Sequence, residues 1–434
     1  MSTNGGVAVL RADARELPLT DESVDLIVTS PPYYGLRSYT DGGEAYPGQL
    51  GMEATPAAYL TALTECTREW VRVLKPGGSL FVNMGDRYAG AAPGPRTALS
   101  PRGGGLNGQA WCDRLPGIGD RAKSLLGLPW RYALACTDQL GLTLRAEIIW
   151  SKPNGLPESV TDRVRRAHEQ VFHFTRTPRY FAAVDEIREP GQLRNCLPGG
   201  GGTYRAMKAP GAKDTNLATA TTHPLGALPD SVWTIPSAPL AVPPRLGVDH
   251  FAAFPPALVR PIVLGWSPAG ICTECGEGLR PVVAITSGTF ASESERQRLS
   301  VQQRERAAIG GGSVSSLGRK GVGRTITSYL CACTKRARPG MPAGTSCETV
   351  SRAGLPPTRP AVVLDPFGGT GTTALTASVL GRHGITVDRS ADYCRIAAWR
   401  TADPGERARA LGVPKPPPVP DGQAALFPLG ELAP

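Results

Sequence analysis

Apolar and β-branched residues fall in short dense runs along this chain, separated by polar stretches rich in Gly and Pro. Runs at 7–13 (VAVLRAD), 24–30 (VDLIVTS) and 79–85 (SLFVNMG) predict three strands. Between the last two, YLTALTECTREWVRVL places Leu60, Leu63, Trp70, Val71 and Leu74 near helical spacing, and Lys75-Pro76-Gly77-Gly78 stops that helix with turn residues. The result is a β-loop-α-β unit. A helix near 124–140 follows, then strands at 144–151 and 169–175 joined by a polar segment. Further on, 256–265 predicts a helix. The last α/β unit comprises a strand at 361–365, a Gly loop, a helix at 373–380, a strand at 384–388 and a helix at 391–401.

Two strings close apolar strands and so mark the carboxyl edge of a parallel sheet, where open α/β folds bind ligands. One is Thr29-Ser30-Pro31-Pro32-Tyr33; the other is Asp365-Pro366-Phe367-Gly368-Gly369-Thr370-Gly371-Thr372. Two such motifs imply two adjoining sites, one for a base and one for a cofactor. A Gly-rich turn between strand and helix lets backbone amides approach a ligand closely. Asp388, which ends the next strand, stands where dinucleotide folds place an acid for ribose hydroxyls. The GxGxxG spacing of a dehydrogenase is absent from this turn. For the first string, the alternative is a plain Pro-Pro turn after a strand.

The order and content of these motifs resemble the amino-group DNA methyltransferases of bacteria and phages over most of residues 5–266 and 360–402. The catalytic string precedes the cofactor string, as in the permuted β group of that family. The resemblance implies a circularly permuted, Rossmann-like α/β fold that uses S-adenosylmethionine. It also implies double-stranded DNA as partner and leaves room for a cognate restriction enzyme. His250, Phe251 and Phe254, in HFAAFP, match a segment that touches the cofactor in the β group. Asp13 matches a position near the cofactor adenine. Trp150, Lys152 and Pro153 match a hairpin that lines the path of the DNA. For His250 and Asp13 taken singly, a structural role is the alternative.

An exocyclic amino nitrogen is a weak nucleophile because its lone pair is conjugated into the ring. Ser30 Oγ and the Pro31 carbonyl, held rigid by Pro31 and Pro32, are suited to accept its two hydrogens. Tyr33 would stack on the base once it is flipped from the duplex. Ser-Pro-Pro-Tyr is associated in the family with cytosine N4, and Asp-Pro-Pro-Tyr with adenine N6, so cytosine N4 is favoured and adenine N6 is the alternative. A non-catalytic DNA-binding protein that keeps the fold is a rival of another class, and a protein or RNA methyltransferase a more distant one. Cytosine C5 chemistry needs a cysteine nucleophile, usually after proline, and no cysteine follows a proline here.

Composition adds a boundary and a partner. With 434 residues and 41% apolar content, the chain can bury a full α/β core and carry attachments. No run approaches the roughly 18 apolar residues of a membrane span, and no secretory signal opens the chain, so the cytoplasm is expected. The net charge of +10 is concentrated: between Arg280 and Arg338 eleven Arg or Lys face three acids, which suits a phosphate-contacting arm or, more blandly, a solvated linker. Ten cysteines do not form a disulfide framework. Cys272 and Cys275, with Cys331 and Cys333, read as the four thiolates of a structural zinc in a zinc-ribbon-like insert, the alternative being buried cysteines with no metal.

The expected organisation is a catalytic part over 1–184, an irregular recognition region over 185–236 and a cofactor-side segment over 237–269. After these come the basic insert over 270–355, the cofactor-binding part over 356–403 and a poorly ordered Pro-rich tail over 404–434. Residues 86–122, rich in Gly, Pro and Arg, read as a loop on the substrate side.

Overall fold

The structure, a computed structural model, describes residues 3–4, 6–36, 39–42, 44–45, 47–89, 123–155, 157–189, 227–246, 254–287, 322–331 and 358–414. His250, Phe251 and Cys333 lie outside these, as do most of 86–122, 185–236 and 270–355 and the chain beyond 414. By compactness the chain falls into two units, a grouping other than the one expected from composition. The first joins Met1–Ala183, Asp230–Arg280 and Cys331–Pro434; the second joins Val184–Pro229 and Pro281–Leu330.

The first unit is built on one nine-stranded sheet. Its early strands are β1 (Thr3–Asn4), β2 (Val7–Arg11) and β3 (Val24–Thr29); the short β4 (Thr40–Asp41) and β5 (Glu44–Ala45) pair only with each other. Helix α1 (Pro56–Val73) leads into β6 (Leu74–Met84), and α2 (Leu128–Leu140) into β7 (Thr143–Ser151) and β8 (His168–Thr175). Then come β9 (Val232–Thr234), α3 (Pro256–Trp266), β10 (Ile271–Cys272), β11 (Leu279–Ser287), β12 (Val322–Cys331), β13 (Thr358–Arg359), β14 (Val362–Asp365) and β15 (His383–Asp388). The sheet order is β1-β2-β15-β14-β3-β6-β8-β7-β9, parallel from β2 to β6, with β8 antiparallel to both neighbours.

Every residue of β3 is buried because helices cover both faces, which is why its sequence is a continuous apolar run. Ile27 packs with Tyr59, Leu63 and Trp70 of α1, whereas its neighbours Leu26 and Val28 pack on the opposite face with Leu258, Val259 and Ile262 of α3. Thr55 caps α1 by accepting the Ala58 amide at 2.8 Å, and α1 presents Tyr59, Leu63, Cys66, Trp70 and Val73 as one buried stripe. β14 and β3 are adjacent and parallel, so Ser30 and the Gly loop leave the same sheet edge side by side.

Three expectations need correction. Lys75–Gly78 does not form a separate turn after the helix: α1 stops at Val73 and the chain runs directly into β6, with a register shift against β3 between Val24 and Leu26. Gly78 fits there because a Cβ would meet the Asp25 carbonyl at 2.9 Å. Residues 232–234, expected in the recognition region, are an edge strand of the main sheet beside β7. The tail does not begin at 404, since Pro404–Leu411 is a helix capped by Asp403, whose carboxylate accepts the Glu406 amide at 2.9 Å. Among the described residues, no helix is long and apolar enough to cross a membrane.

Candidate active site

A cleft opens at the carboxyl ends of β2, β3, β14 and β15. Ser30 and Pro32 form one side, Pro366, Phe367, Gly369 and Asp388 another, and Asp13, Arg15, Gln49, Leu50 and Glu53 close it. The two strings predicted to adjoin therefore do so, although only some of their residues face the opening.

On the side of the first string, the side chains are tied into a polar network. The Tyr33 hydroxyl donates to Glu169 Oε2 at 2.7 Å, accepts from Asn83 Nδ2 at 2.8 Å and lies 3.2 Å from Ser30 Oγ. Asn83 Nδ2 also donates to Glu169 Oε2 at 2.8 Å. The Lys152 ammonium contacts the other oxygen of Glu169 and lies 4.1 Å from the centre of the Trp150 ring. Burial, followed by the charge of Glu169, raises the Tyr33 hydroxyl well above the usual tyrosine range, so it remains a donor. With Tyr33 donating to Glu169, its oxygen is left to accept. The Ser30 hydroxyl hydrogen then has an acceptor in Tyr33; Ser30 Oγ accepts from Asn83 Nδ2 at 3.3 Å and keeps one further lone pair, and Ser30 lines the cleft.

Neighbouring glycines fix this arrangement. A Cβ on Gly85 would come within 2.7 Å of the Tyr33 ring, and one on Gly51, at φ +90°, within 2.8 Å of the Tyr33 carbonyl. Tyr59 donates to the Pro32 carbonyl at 2.9 Å, linking the string to α1. Neither Asn83 nor Glu169 was predicted. Asn83 has a signal, an amide inside an apolar strand; Glu169 has none until the pairing of β8 with β6 and β7 is known.

The Gly loop is held mostly from within. Gly368 donates to the Val387 carbonyl at 2.8 Å and Gly371 to that of Gly368 at 2.7 Å. A Cβ on Gly368 would fall 1.6 Å from Thr386 Oγ1. Asp388 accepts the amides of Gly369 (3.0 Å) and Ser390 (2.9 Å), and burial pushes its carboxyl up to about 6. Phe367 lies in the cleft with its ring edge-on to Trp70. Asp13 keeps its charge despite partial burial because Arg15 binds both its oxygens, at 3.0 and 2.7 Å, and holds it below the usual carboxylate range.

Several expected contacts turn out to be structural. Asp365 is 1% exposed and points inward, accepting from the Thr373 hydroxyl at 2.9 Å and the Phe367 amide at 3.1 Å; burial pushes it up to about 7. Thr370 and Thr372 turn their hydroxyls to the buried Arg400 guanidinium at 2.8 and 2.6 Å. That guanidinium is neutralised by Glu406 at 2.8 Å, a residue of the helix where a loose tail was expected. Gly371, at φ +77°, is the cap of the helix Thr372–Val379. Phe254 packs on the apolar cluster beneath α3 and does not face the cleft. Trp150, expected along the path of the DNA, is 3% exposed, donates through Nε1 to the Ile235 carbonyl at 2.8 Å and supports Lys152 from below. Pro153 is exposed beside it, and Pro31 is buried. Of the expected metal ligands, Cys272, Cys275 and Cys331 come together.

The sequence pattern of the N6_N4_Mtase family, DNA methylase, matches residues 24–271 and 358–398. The chain belongs to this family of amino-group DNA methyltransferases. Among curated relatives, it is 35% identical over 251 residues to the type II methyltransferase M.XycI of Xanthomonas campestris pv. cyanopsidis, covering 57% of this chain and 67% of that one. It is 33% identical over 304 residues to the type II methyltransferase M.SmaI of Serratia marcescens, covering 69% and 87%. A solved structure, the PvuII DNA methyltransferase (cytosine-N4-specific), aligns at 15% identity and a TM-score of 0.47, covering 94% of this chain and 90% of that one.

Proposed function

We propose that this chain transfers a methyl group from S-adenosylmethionine to the N4 amino group of a cytosine flipped out of double-stranded DNA, at a specific site. One observation carries the reading: Ser30 lines the cleft, and the hydrogen-bond direction from Ser30 through Tyr33 to Glu169 leaves its Oγ an acceptor lone pair beyond the one that Asn83 reaches. An amino hydrogen of the base would meet that acceptor and the second would meet the Pro31 carbonyl, favouring a pyramidal nitrogen. In Asp-Pro-Pro-Tyr proteins the acceptor is itself an anion. Here the negative charge stands one relay further back, on Glu169, with Lys152 balancing it.

The residues fit the cofactor. Asp388 has a partly buried carboxylate at the cleft, each oxygen of which takes one backbone amide and keeps capacity for ribose hydroxyls. Gly369 has open space where a Cβ would stand, and Phe367 and Leu50 give apolar walls. Bound there, S-adenosylmethionine supplies an electrophilic methyl group. The order of the two strings supports placement in the permuted β group, and the basic excess between Arg280 and Arg338 supports contact with DNA phosphates. The names of the type II relatives support a modification enzyme with a restriction counterpart.

The test is to incubate purified protein with S-adenosylmethionine and duplex DNA, digest the DNA and identify the modified nucleoside. N4-methylcytosine is expected, and long-read sequencing should find it in one sequence context. N6-methyladenine would move the reading to the alternative base, and no methylated nucleoside would leave a DNA-binding protein without activity.

A further inference from the structure

A second chemically capable cluster stands in the first unit and takes no part in the cleft. Cys272 ends β10, Cys275 lies in the turn after it, and Cys331 ends β12; their sulfur atoms all lie within 4.8 Å of one another. Cys275 Sγ and Cys331 Sγ are 3.2 Å apart although 56 residues separate them in sequence. Cys272 and Cys331 are buried, at 0% and 3% exposure.

The backbone aims these thiols at one point. Gly276, at φ +74°, donates to the Cys272 carbonyl at 2.9 Å, and Cys272 donates to that of Glu277 at 3.0 Å, so the turn folds Cys275 back beside Cys272. The hairpin is seated firmly, since a Cβ on Gly278 would meet Pro268 at 2.8 Å and Phe181 at 2.9 Å. β10 then pairs with β13, which places Cys272 opposite Thr358 just ahead of the cofactor strand β14. Cysteines that merely fill a core are small apolar groups and need not converge sulfur on sulfur. Sulfurs sharing one tetrahedral zinc, each bonded at about 2.3 Å, stand about 3.8 Å apart, within the spread seen here.

We propose that Cys272, Cys275 and Cys331 hold one zinc ion as a structural clamp at the base of the inserted segment. The chain leaves the first unit after Arg280 and returns at Cys331, so the clamp joins the point of departure to the point of return. The family pattern matches up to residue 271 and resumes at 358, so all three cysteines lie in the stretch between its two matched parts. An ion that binds only the folded arrangement adds its binding free energy to that of folding and holds both ends of a long excursion, and it has no role in methyl transfer.

The test uses the full chain purified under reducing conditions and dialysed against zinc-free buffer. Elemental analysis should find about one equivalent of zinc. Alkylation with peptide mapping should find Cys272, Cys275 and Cys331 protected as a set and labelled together once a strong chelator is added, while the labelling of Cys394 is unchanged. C275S should lose most of the zinc and C394S should keep it. If C275S does not fold, the chelator-dependent labelling of the unmutated protein decides alone. The proposal is overturned if the protein takes up no zinc from added zinc salt, if the three thiols label at rates indifferent to chelator, or if Cys275 and Cys331 are found disulfide-linked under those conditions. Metal content is read without methyl transfer, so this result and the activity result stand apart.

Discussion

The two sides of the cleft use their motifs differently. On the cofactor side, most of the string builds the loop: Asp365 grips Thr373, Thr370 and Thr372 grip Arg400, and Gly368 fits against Thr386. Only Pro366, Phe367, Gly369 and the more distant Asp388 face the opening. On the base side, the string is short and its chemistry is set from outside, by Asn83 of β6 and Glu169 and Lys152 of the β7–β8 pair. One motif is thus a piece of architecture that exposes a few groups. The other is a short string whose hydrogen bonding is set by remote residues. Mutations should separate the two: changes on the base side should reduce turnover without unfolding, and changes inside the Gly loop should unfold without a selective loss of turnover.

The largest effect should come from Ser30→Ala. Removing a preorganised acceptor used in the transition state costs about 100- to 1000-fold in kcat, or about 3–4 kcal/mol. Cofactor affinity and melting temperature should stay at wild-type values. Glu169→Gln should follow in the same direction with a smaller loss, because the amide can turn a donor toward Tyr33 and reverse the relay. Single-turnover kinetics with saturating DNA would check both. Wild-type turnover in Ser30→Ala would remove the polarised-acceptor argument altogether.

Thr372→Val is the counter-experiment. The hydroxyl lost is an acceptor for a guanidinium that is 2% exposed, so the buried donor is left unsatisfied at a cost of about 1–3 kcal/mol. Denaturant unfolding should show that loss, while kcat of the folded fraction remains close to normal. A fall in kcat with unaltered stability would mean that Thr372 touches a ligand after all.

These contrasts explain what could be read in advance. The strands, the order of the motifs and the adjacency of Ser30 to the Gly loop were legible because period-2 and period-3.6 patterns and strand-ending turns are local properties. Which members of DPFGGTGTT face inward was not, because Arg400 and Glu406 approach from helices whose docking no local pattern encodes. The Pro-rich composition after residue 404 hid a helix that is stable because Asp403 caps it and Glu406 has a buried partner. Trp150 was misread for a related reason. A large aromatic beside Lys152 suits either a core or a surface, and only the neighbouring edge strand β9, which leads into Ile235, decides for the core.

A smaller effect, and one that depends on pH, belongs to Asp388. Its carboxyl is raised to about 6 by burial, so the folded protein without cofactor binds this proton more tightly than the unfolded chain does. That contribution favours the fold fully below about pH 4, the ordinary range for aspartate, and is lost as pH rises through about 6. Ribose hydroxyls need the ionised form as acceptor, so affinity for S-adenosylmethionine should drop as pH is lowered from 7.5 to 5. Asp388→Asn should bind about 1–3 kcal/mol more weakly at pH 7.5 and lack this part of the pH dependence. Calorimetric titration at several pH values would check it, and a mutant with an unchanged pH profile would assign the proton elsewhere.

The smallest expected effect tests the reassignment of Trp150. Trp150→Phe keeps an aromatic ring in the core and beneath Lys152 but removes the Nε1 hydrogen bond to Ile235 and weakens the cation–π contact. The loss of stability should be about 1 kcal/mol, the usual worth of one hydrogen bond. Lys152 should still reach Glu169, so kcat should change little, and DNA affinity at fixed salt should not change, because a side chain 3% exposed has no surface to offer a duplex. A clear drop in DNA affinity with the melting temperature unmoved would return Trp150 to the path of the DNA, and would erase one of the distinctions between the two sides of the cleft.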